Sequence, residues 1–328
     1  MSILWYFLGL AAGIAVLVYS ADIFVGGSAA FARRCGMSSL LIGIVIIGFG
    51  TSMPEMLVSV LSAAAHSSSI ALGNAYGSNT ANIGLILGLT AVLAPISVTQ
   101  SAYRRELPIL LVATGIAFYL LWGNHLITRF DAIAMLVVFF IVLGINIYTG
   151  KRTDDESSAD AVAKPITLVK SILMILGGLI LLIGSSRLLV FCAIHIARYF
   201  GVPDLIIGLT IVAVGTSLPE LASSIAAVRK REHDMVLGNI IGSNLFNTLA
   251  VVGLACVITP MTEGAEKEAV DTVIRRDFPI DVLVTVALLI FCIPWKRGTK
   301  AVINRLEGAV LLLGYIAYIG WIVCDAIH

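Results

Sequence analysis

Apolar residues run along this chain in blocks of roughly 20, the length a helix needs to cross a bilayer. Ten such blocks fall at about 3–31, 38–65, 69–95, 106–122, 128–149, 166–199, 204–228, 234–258, 278–294 and 303–326. One long polar break interrupts them, from Gly150 to Lys164, carrying Lys151, Arg152, Asp154, Asp155, Glu156 and Asp160. The pattern predicts an all-α integral membrane protein of ten transmembrane helices: residues 1–149, a linker over 150–164, and residues 165–328. No Lys or Arg precedes Arg33, so the first block lacks the positive start of a signal peptide and reads as the first span.

The two sets of five repeat one another. Gly50-Thr51-Ser52-Met53-Pro54-Glu55 returns 165 positions later as Gly215-Thr216-Ser217-Leu218-Pro219-Glu220. Gly-Asn-x-x-Gly-Ser-Asn-x-x-Asn at 73–82 returns at 238–247. Gly36 and Gly43 match Gly201 and Gly208 in the same register. Beyond Gly88 and Gly253 the register slips, yet Arg104-Arg105-Glu106-Leu107-Pro108 still resembles Arg275-Arg276-Asp277-Phe278-Pro279, and Arg129 resembles Arg305. An odd number of spans per copy sends the second copy in from the other side, which predicts inverted repeats. With the N-terminus outside, fifteen Lys and Arg fall in inside loops against five outside. The positive-inside rule therefore predicts both termini outside and a cytoplasmic linker.

Composition agrees and narrows the class. The chain is 59% hydrophobic and 12% charged, with mean hydropathy +1.01; soluble domains carry about 25% charged residues. A net charge of +1 offers no basic surface for nucleic acid. Five scattered cysteines and five histidines, mostly at span ends, show no ligand spacing, and the cysteines read as small apolar packing residues. Asp22 and Arg187 occupy equivalent places in spans one and six; pairing, lining a pathway and snorkelling to a headgroup all remain open for them.

The chemistry lies in the duplicated blocks. An acidic residue at the centre of a span costs about 2.5–3.5 kcal/mol and marks a functional site. Its bland reading, a protonated carboxyl gluing helices, weakens when Glu55 and Glu220 recur in matched settings. Pro54 and Pro219 each release the carbonyl four residues back, at Gly50 and Gly215. Loose carbonyls beside a carboxylate suit a hard cation, whereas a plain proline kink would suffice for one such block alone. Asn74, Ser78 and Asn82 form one helical stripe, repeated by Asn239, Ser243 and Asn247, and beside them Gly73 with Gly77 and Gly238 with Gly242 form small-x-x-x-small faces that let helices pack closely. Ser78, Asn82, Ser243 and Asn247 are the favoured ligands; Asn74, Asn79, Asn239 and Asn244 read as structural, hydrogen-bonding between helices. Ca²⁺, Na⁺, K⁺ or H⁺ fits an all-oxygen set. A two-carboxylate intramembrane protease would need a Gly-x-Gly-Asp setting that is missing, and a passive channel fits inverted repeats less well than a carrier.

These paired blocks resemble the two alpha-repeats of the Ca²⁺/cation antiporter superfamily, and most nearly its bacterial calcium/sodium antiporter branch, over almost the whole chain. The resemblance implies Ca²⁺/Na⁺ exchange by alternating access, with spans one and six sliding across a central core. It implies Glu55 and Glu220 as main carboxylate ligands and adds Thr51, Ser52, Thr216 and Ser217 to the shell. No cofactor is implied; Ca²⁺ and Na⁺ are cargo, the bilayer is the environment, and a monomer in a bacterial inner membrane is expected. Some family members carry Asp at one of the positions held here by Asn82 and Asn247. Two central carboxylates balance one Ca²⁺ or two Na⁺, so Ca²⁺/H⁺ exchange is the competing expectation.

Overall fold

A computed structural model of the chain describes residues 3–122, 126–150, 166–202, 213–294 and 301–327. Its helices are α1 (Ile3–Cys35), α2 (Ser39–Thr51), α3 (Met53–Ala64), α4 (68–93), α5 (Ala102–Trp122), α6 (Arg129–Thr149), α7 (Leu168–Tyr199), α8 (Ala213–Thr216), α9 (Leu218–Arg229), α10 (His233–Ile258), α11 (264–292) and α12 (Arg305–Ile327). Six of the described helices are long and apolar enough to cross a membrane, and α2 with α3 makes a seventh as a bent pair. The stripe of Asn and Ser dilutes α4, and the apolar part of α11, Phe278–Cys292, is 15 residues long. Part of the expected seventh span, residues 204–212, and most of the linker lie outside the described residues.

The chain is nearly all helix, as its periodicity predicts, with one departure. Two three-residue strands, β1 (Ile96–Val98) and β2 (Ala301–Ile303), pair antiparallel with Ile96 opposite Ile303. A second, isolated bridge joins Ile127 to Met261 through backbone bonds of 2.9 and 3.0 Å. Met261 is the repeat equivalent of Ile96, and Ile303 is that of Ile127. The two bridges are therefore one contact made twice. They lie at opposite ends of α5, whose 21 residues span about 31 Å at 1.5 Å per residue. Runs this short carry no readable alternation, which is why the pattern missed them.

Two packing layers position the centre. α1 and α7, with 33 and 32 residues, are each nearly 50 Å long at 1.5 Å per residue and overreach a hydrocarbon core of about 30 Å. They lie against one another through matched contacts: a Cβ on Gly13 would fall 2.9 Å from Leu189, and one on Gly178 would fall 2.7 Å from the Phe24 nitrogen. Behind them α10 is the central post, 89% of its most apolar stretch being buried. Gly238 lets it touch α2, since a Cβ there would strike the Leu40 carbonyl and the Gly43 Cα. This is the close approach that a small-x-x-x-small face predicts.

Candidate ion-binding site

The first block breaks its helix. α2 ends at Thr51, α3 starts at Met53, and the axes differ by 45°. Pro54 sits in the first turn of α3, where its missing N–H is harmless, and Glu55 follows it. In the second block α8 ends at Thr216, and α9 begins at Leu218 with Pro219 and Glu220 in its first turn. Each break sets the end of one helix against the start of the next beside an acidic residue. The Gly215 carbonyl that Pro219 releases accepts a bond from Ser186 Oγ of α7 at 3.0 Å.

The breaks bring the two blocks together. Ser52 Oγ of the first donates to Glu220 Oε1 of the second at 3.4 Å, and Thr51 also lies against Glu220. Glu55 and Glu220 are near enough for their charges to act on one another. Both are 1% exposed. No salt bridge reaches either among the described residues. Glu55 Oε1 and Oε2, Glu220 Oε2, Ser217 Oγ, Asn82 Oδ1 and both Oδ1 and Nδ2 of Asn247 lack a hydrogen-bond partner there. Burying an unpaired carboxylate costs several kcal/mol even after relaxation. A cluster of buried oxygens with so few donors fits a cation.

The helices carrying the Asn stripes face these breaks. Thr51 Oγ1 donates to Asn239 Oδ1 at 3.1 Å, and Asn239 Nδ2 donates to the Glu220 carbonyl at 3.2 Å and to Ser224 Oγ at 3.1 Å. Asn239 thus fixes the turn that carries Glu220. Asn82 Nδ2 donates to Asn244 Oδ1 at 3.0 Å, which leaves its own Oδ1 unused. Ser243 Oγ donates to the Gly48 carbonyl at 3.5 Å, while Ser78 is buried in α4. Both Asn82 and Asn247 sit in wide π-helical turns, Asn82–Leu87 and Phe246–Val251, which re-aim side chains locally.

Space beside the centre is uneven. A cavity of about 300 Å³ lies between α7 and the breaks, lined by Pro54, Ser186, Arg187, Val190, Gly215 and Thr216. The matching wedge between α1 and α9 holds about 110 Å³ and is walled by Leu17, Val18, Leu218 and Leu221. Near that smaller wedge Asp22 lies 3.8 Å from both Arg229 and Lys230, so the two equivalent charges take different roles. A cavity of about 420 Å³ beside β1 shares no residue with the blocks.

A sequence profile of the sodium/calcium exchanger protein family matches residues 5–148 and 170–324. The chain belongs to the sodium/calcium exchanger family. Among its relatives, a putative antiporter, CaxA of Alkalimonas amylolytica, is 40% identical over 93% of this chain and 95% of its own. Inner membrane protein YrbG of Escherichia coli is 34% identical over 94% and 93%. Sodium/calcium exchanger MaX1 of Methanosarcina acetivorans is 29% identical over 95% and 97%. The solved sodium-calcium exchanger NCX_Mj, soaked with 10 mM Na⁺ and zero Ca²⁺, superposes with TM-score 0.81 at 29% identity, covering 97% of this chain and 99% of its own. The protein is thus an integral membrane cation antiporter of a family of exchangers, not of enzymes.

One buried acid of this exchanger escaped sequence reasoning. Asp281 in α11 is 1% exposed and faces Asn79. Its signal was available, an Asp inside the apolar block 278–294, but it has no partner in the other repeat, where Leu110 stands.

Proposed function

We propose that the protein exchanges Ca²⁺ for Na⁺ by alternating access at one central site. Glu55 and Glu220 supply the charge. Thr51, Ser52, Thr216, Ser217, Ser78, Asn82, Ser243 and Asn247 supply neutral oxygens around it. The observation that carries this reading is the meeting of two broken helices at which both Glu55 oxygens, Glu220 Oε2, Asn82 Oδ1 and Asn247 Oδ1 are buried without a hydrogen-bond partner. A charge of −2 is neutralised equally by one Ca²⁺ or two Na⁺, so the ions compete for one set of oxygens and are carried alternately.

Ten spans in two inverted halves, 1–149 and 165–328, would give that site an exit on each face. The paired bridges Ile96–Ile303 and Ile127–Met261 support the inversion. α1 and α7 form the sliding layer; a cavity of about 300 Å³ lies beside α7 and one of about 110 Å³ beside α1, and Glu55 and Glu220, each 1% exposed, line neither among the described residues. The chain acts as a monomer in a bacterial inner membrane, with both termini outside and the linker in the cytoplasm.

The test is ⁴⁵Ca²⁺ uptake into proteoliposomes under an imposed Na⁺ gradient. Uptake indifferent to Na⁺ but driven by a pH gradient would replace this reading with Ca²⁺/H⁺ exchange. That second reading draws on the same two acids, which could carry protons in place of Na⁺.

A further inference from the structure

Other buried acids beside α11 have cations. Glu106 pairs with Arg105 at 2.6 Å, and Asp277 pairs with Arg276 at 2.7 Å and accepts from Tyr318 Oη at 2.7 Å. Asp281, one turn beyond Asp277, has no ion pair among the described residues; the Asn79 side chain lies within hydrogen-bonding reach of its carboxylate, yet its Oδ1 accepts no hydrogen bond there. Two more polar atoms of the residues facing it are in the same condition: Tyr76 Oη and Asn79 Oδ1, both from α4. Thr285 offers no relief, because its hydroxyl is turned to the Asp281 backbone carbonyl at 2.8 Å. A carboxylate removed from water without a counter-charge is strongly disfavoured. A single positive charge placed among Asp281, Tyr76 and Asn79 removes that conflict.

This pocket is joined to the centre by hydrogen bonds. Asn79 Nδ2 donates to Thr248 Oγ1 at 2.8 Å, Asn244 Nδ2 donates to the Asn79 carbonyl at 3.4 Å, and Asn82 Nδ2 donates to Asn244 Oδ1 at 3.0 Å. Hydrogen bonds therefore link Asn79, which faces Asp281, through its backbone carbonyl and Asn244 to Asn82.

We infer that Asp281, with Tyr76 and Asn79, forms a second site that holds one monovalent cation, Na⁺ or H⁺, during exchange. The inference rests on the function proposed above and sets its stoichiometry. Glu55 and Glu220 match one Ca²⁺ or two monovalent ions; Asp281 adds the charge for a third. The site exists once per chain, because Leu110 stands at its repeat equivalent. The titratable groups around it are Tyr76 from α4, Cys256 from α10 beyond Tyr76, and Asp277 of α11 itself. From α5, Glu106 is engaged by Arg105 and Tyr119 is exposed.

The experiment compares wild-type protein with Asp281→Asn in proteoliposomes, an isosteric change that removes the charge. ⁴⁵Ca²⁺ flux is titrated with Na⁺ at fixed pH and with pH at fixed Na⁺. If Na⁺ occupies the site, the Hill coefficient for Na⁺ falls by about one in the variant. If H⁺ occupies it, the Na⁺ titration is unchanged and the wild-type pH dependence flattens. A variant identical to wild type in both titrations overturns the inference and leaves Asp281 a structural carboxyl. Should Asp281→Asn aggregate on gel filtration, Tyr76→Phe decides. It removes one ligand oxygen, and a three- to tenfold weaker dependence on Na⁺ or H⁺ supports the site, whereas no change refutes it. Wild-type protein that moves no Ca²⁺ at all refutes the proposed function instead.

Discussion

Ser52 donates its hydroxyl to Glu220 at 3.4 Å, so a residue of the first repeat holds the acid of the second. Glu55 has no matching donor among the described residues, and both of its oxygens are bare. The two acids of the centre are related in sequence but unequal in setting.

Both acids should nevertheless be indispensable, and the hydroxyl beside Glu220 less so. Glu55→Gln and Glu220→Gln should each cut ⁴⁵Ca²⁺ flux at least 100-fold while the protein still elutes as a single folded species. Ser52→Ala should be milder, raising the half-saturating Ca²⁺ about fivefold, since a 3.4 Å contact is longer than an ordinary O–H···O bond and is worth about 1 kcal/mol. Wild-type flux from Glu55→Gln would remove that residue from the site.

Cation binding should stabilise the fold. A ligand bound only by the native state at 100 times its Kd adds about 2.7 kcal/mol. Ca²⁺ should therefore raise the melting temperature in detergent, chelation should reverse the rise, and neither Glu→Gln variant should respond. A Ca²⁺-induced rise that survives in both variants would place the bound ion elsewhere.

The released carbonyl at Gly215 should be costly to expose. Ser186→Ala removes its partner, and an unsatisfied buried acceptor costs about 1–3 kcal/mol. The variant should melt several degrees lower than wild type, and Ser186→Thr, which keeps the hydroxyl, should recover most of the difference.

Asp22 contacts Arg229 and Lys230 at 3.8 Å, beside the smaller wedge. The pair is partly exposed and is worth at most about 1 kcal/mol. Under the proposed alternating access, Asp22→Asn should shift the balance between the two open forms about two- to fivefold. Thiol labelling of Val190→Cys, in the larger cavity, reads that balance in a background free of native cysteines. An unchanged labelling rate would mean the pair does not hold α1 in place.

Much of this was legible before any coordinates. Glu55, Pro54 and their copies marked the central site and the released carbonyls, while the apolar pattern reads each span as continuous where the structure breaks it at Ser52 and Ser217. The close approach at Gly238 followed from small residues four apart. For the equivalent Gly73 and Gly77 nothing lies within 4 Å among the described residues. Asn239, read as structural, does hold the Glu220 turn. Asp281 was missed because it breaks the repeat on which the reading leaned. The bridges were missed because a three-residue strand is specified by its partner 200 positions away, not by its own pattern.

Those bridges carry a further meaning. Ile96 meets Ile303, and Met261, the counterpart of Ile96, meets Ile127, the counterpart of Ile303. When i touches j and j′ touches i′ in this reciprocal way, the surface is that of an isologous two-fold dimer. The two bridges alone follow the contact plan of two half-length subunits joined in one chain. Severed within 150–164 and produced as two pieces, it should reassemble, because what joins the halves is the interface rather than the tether.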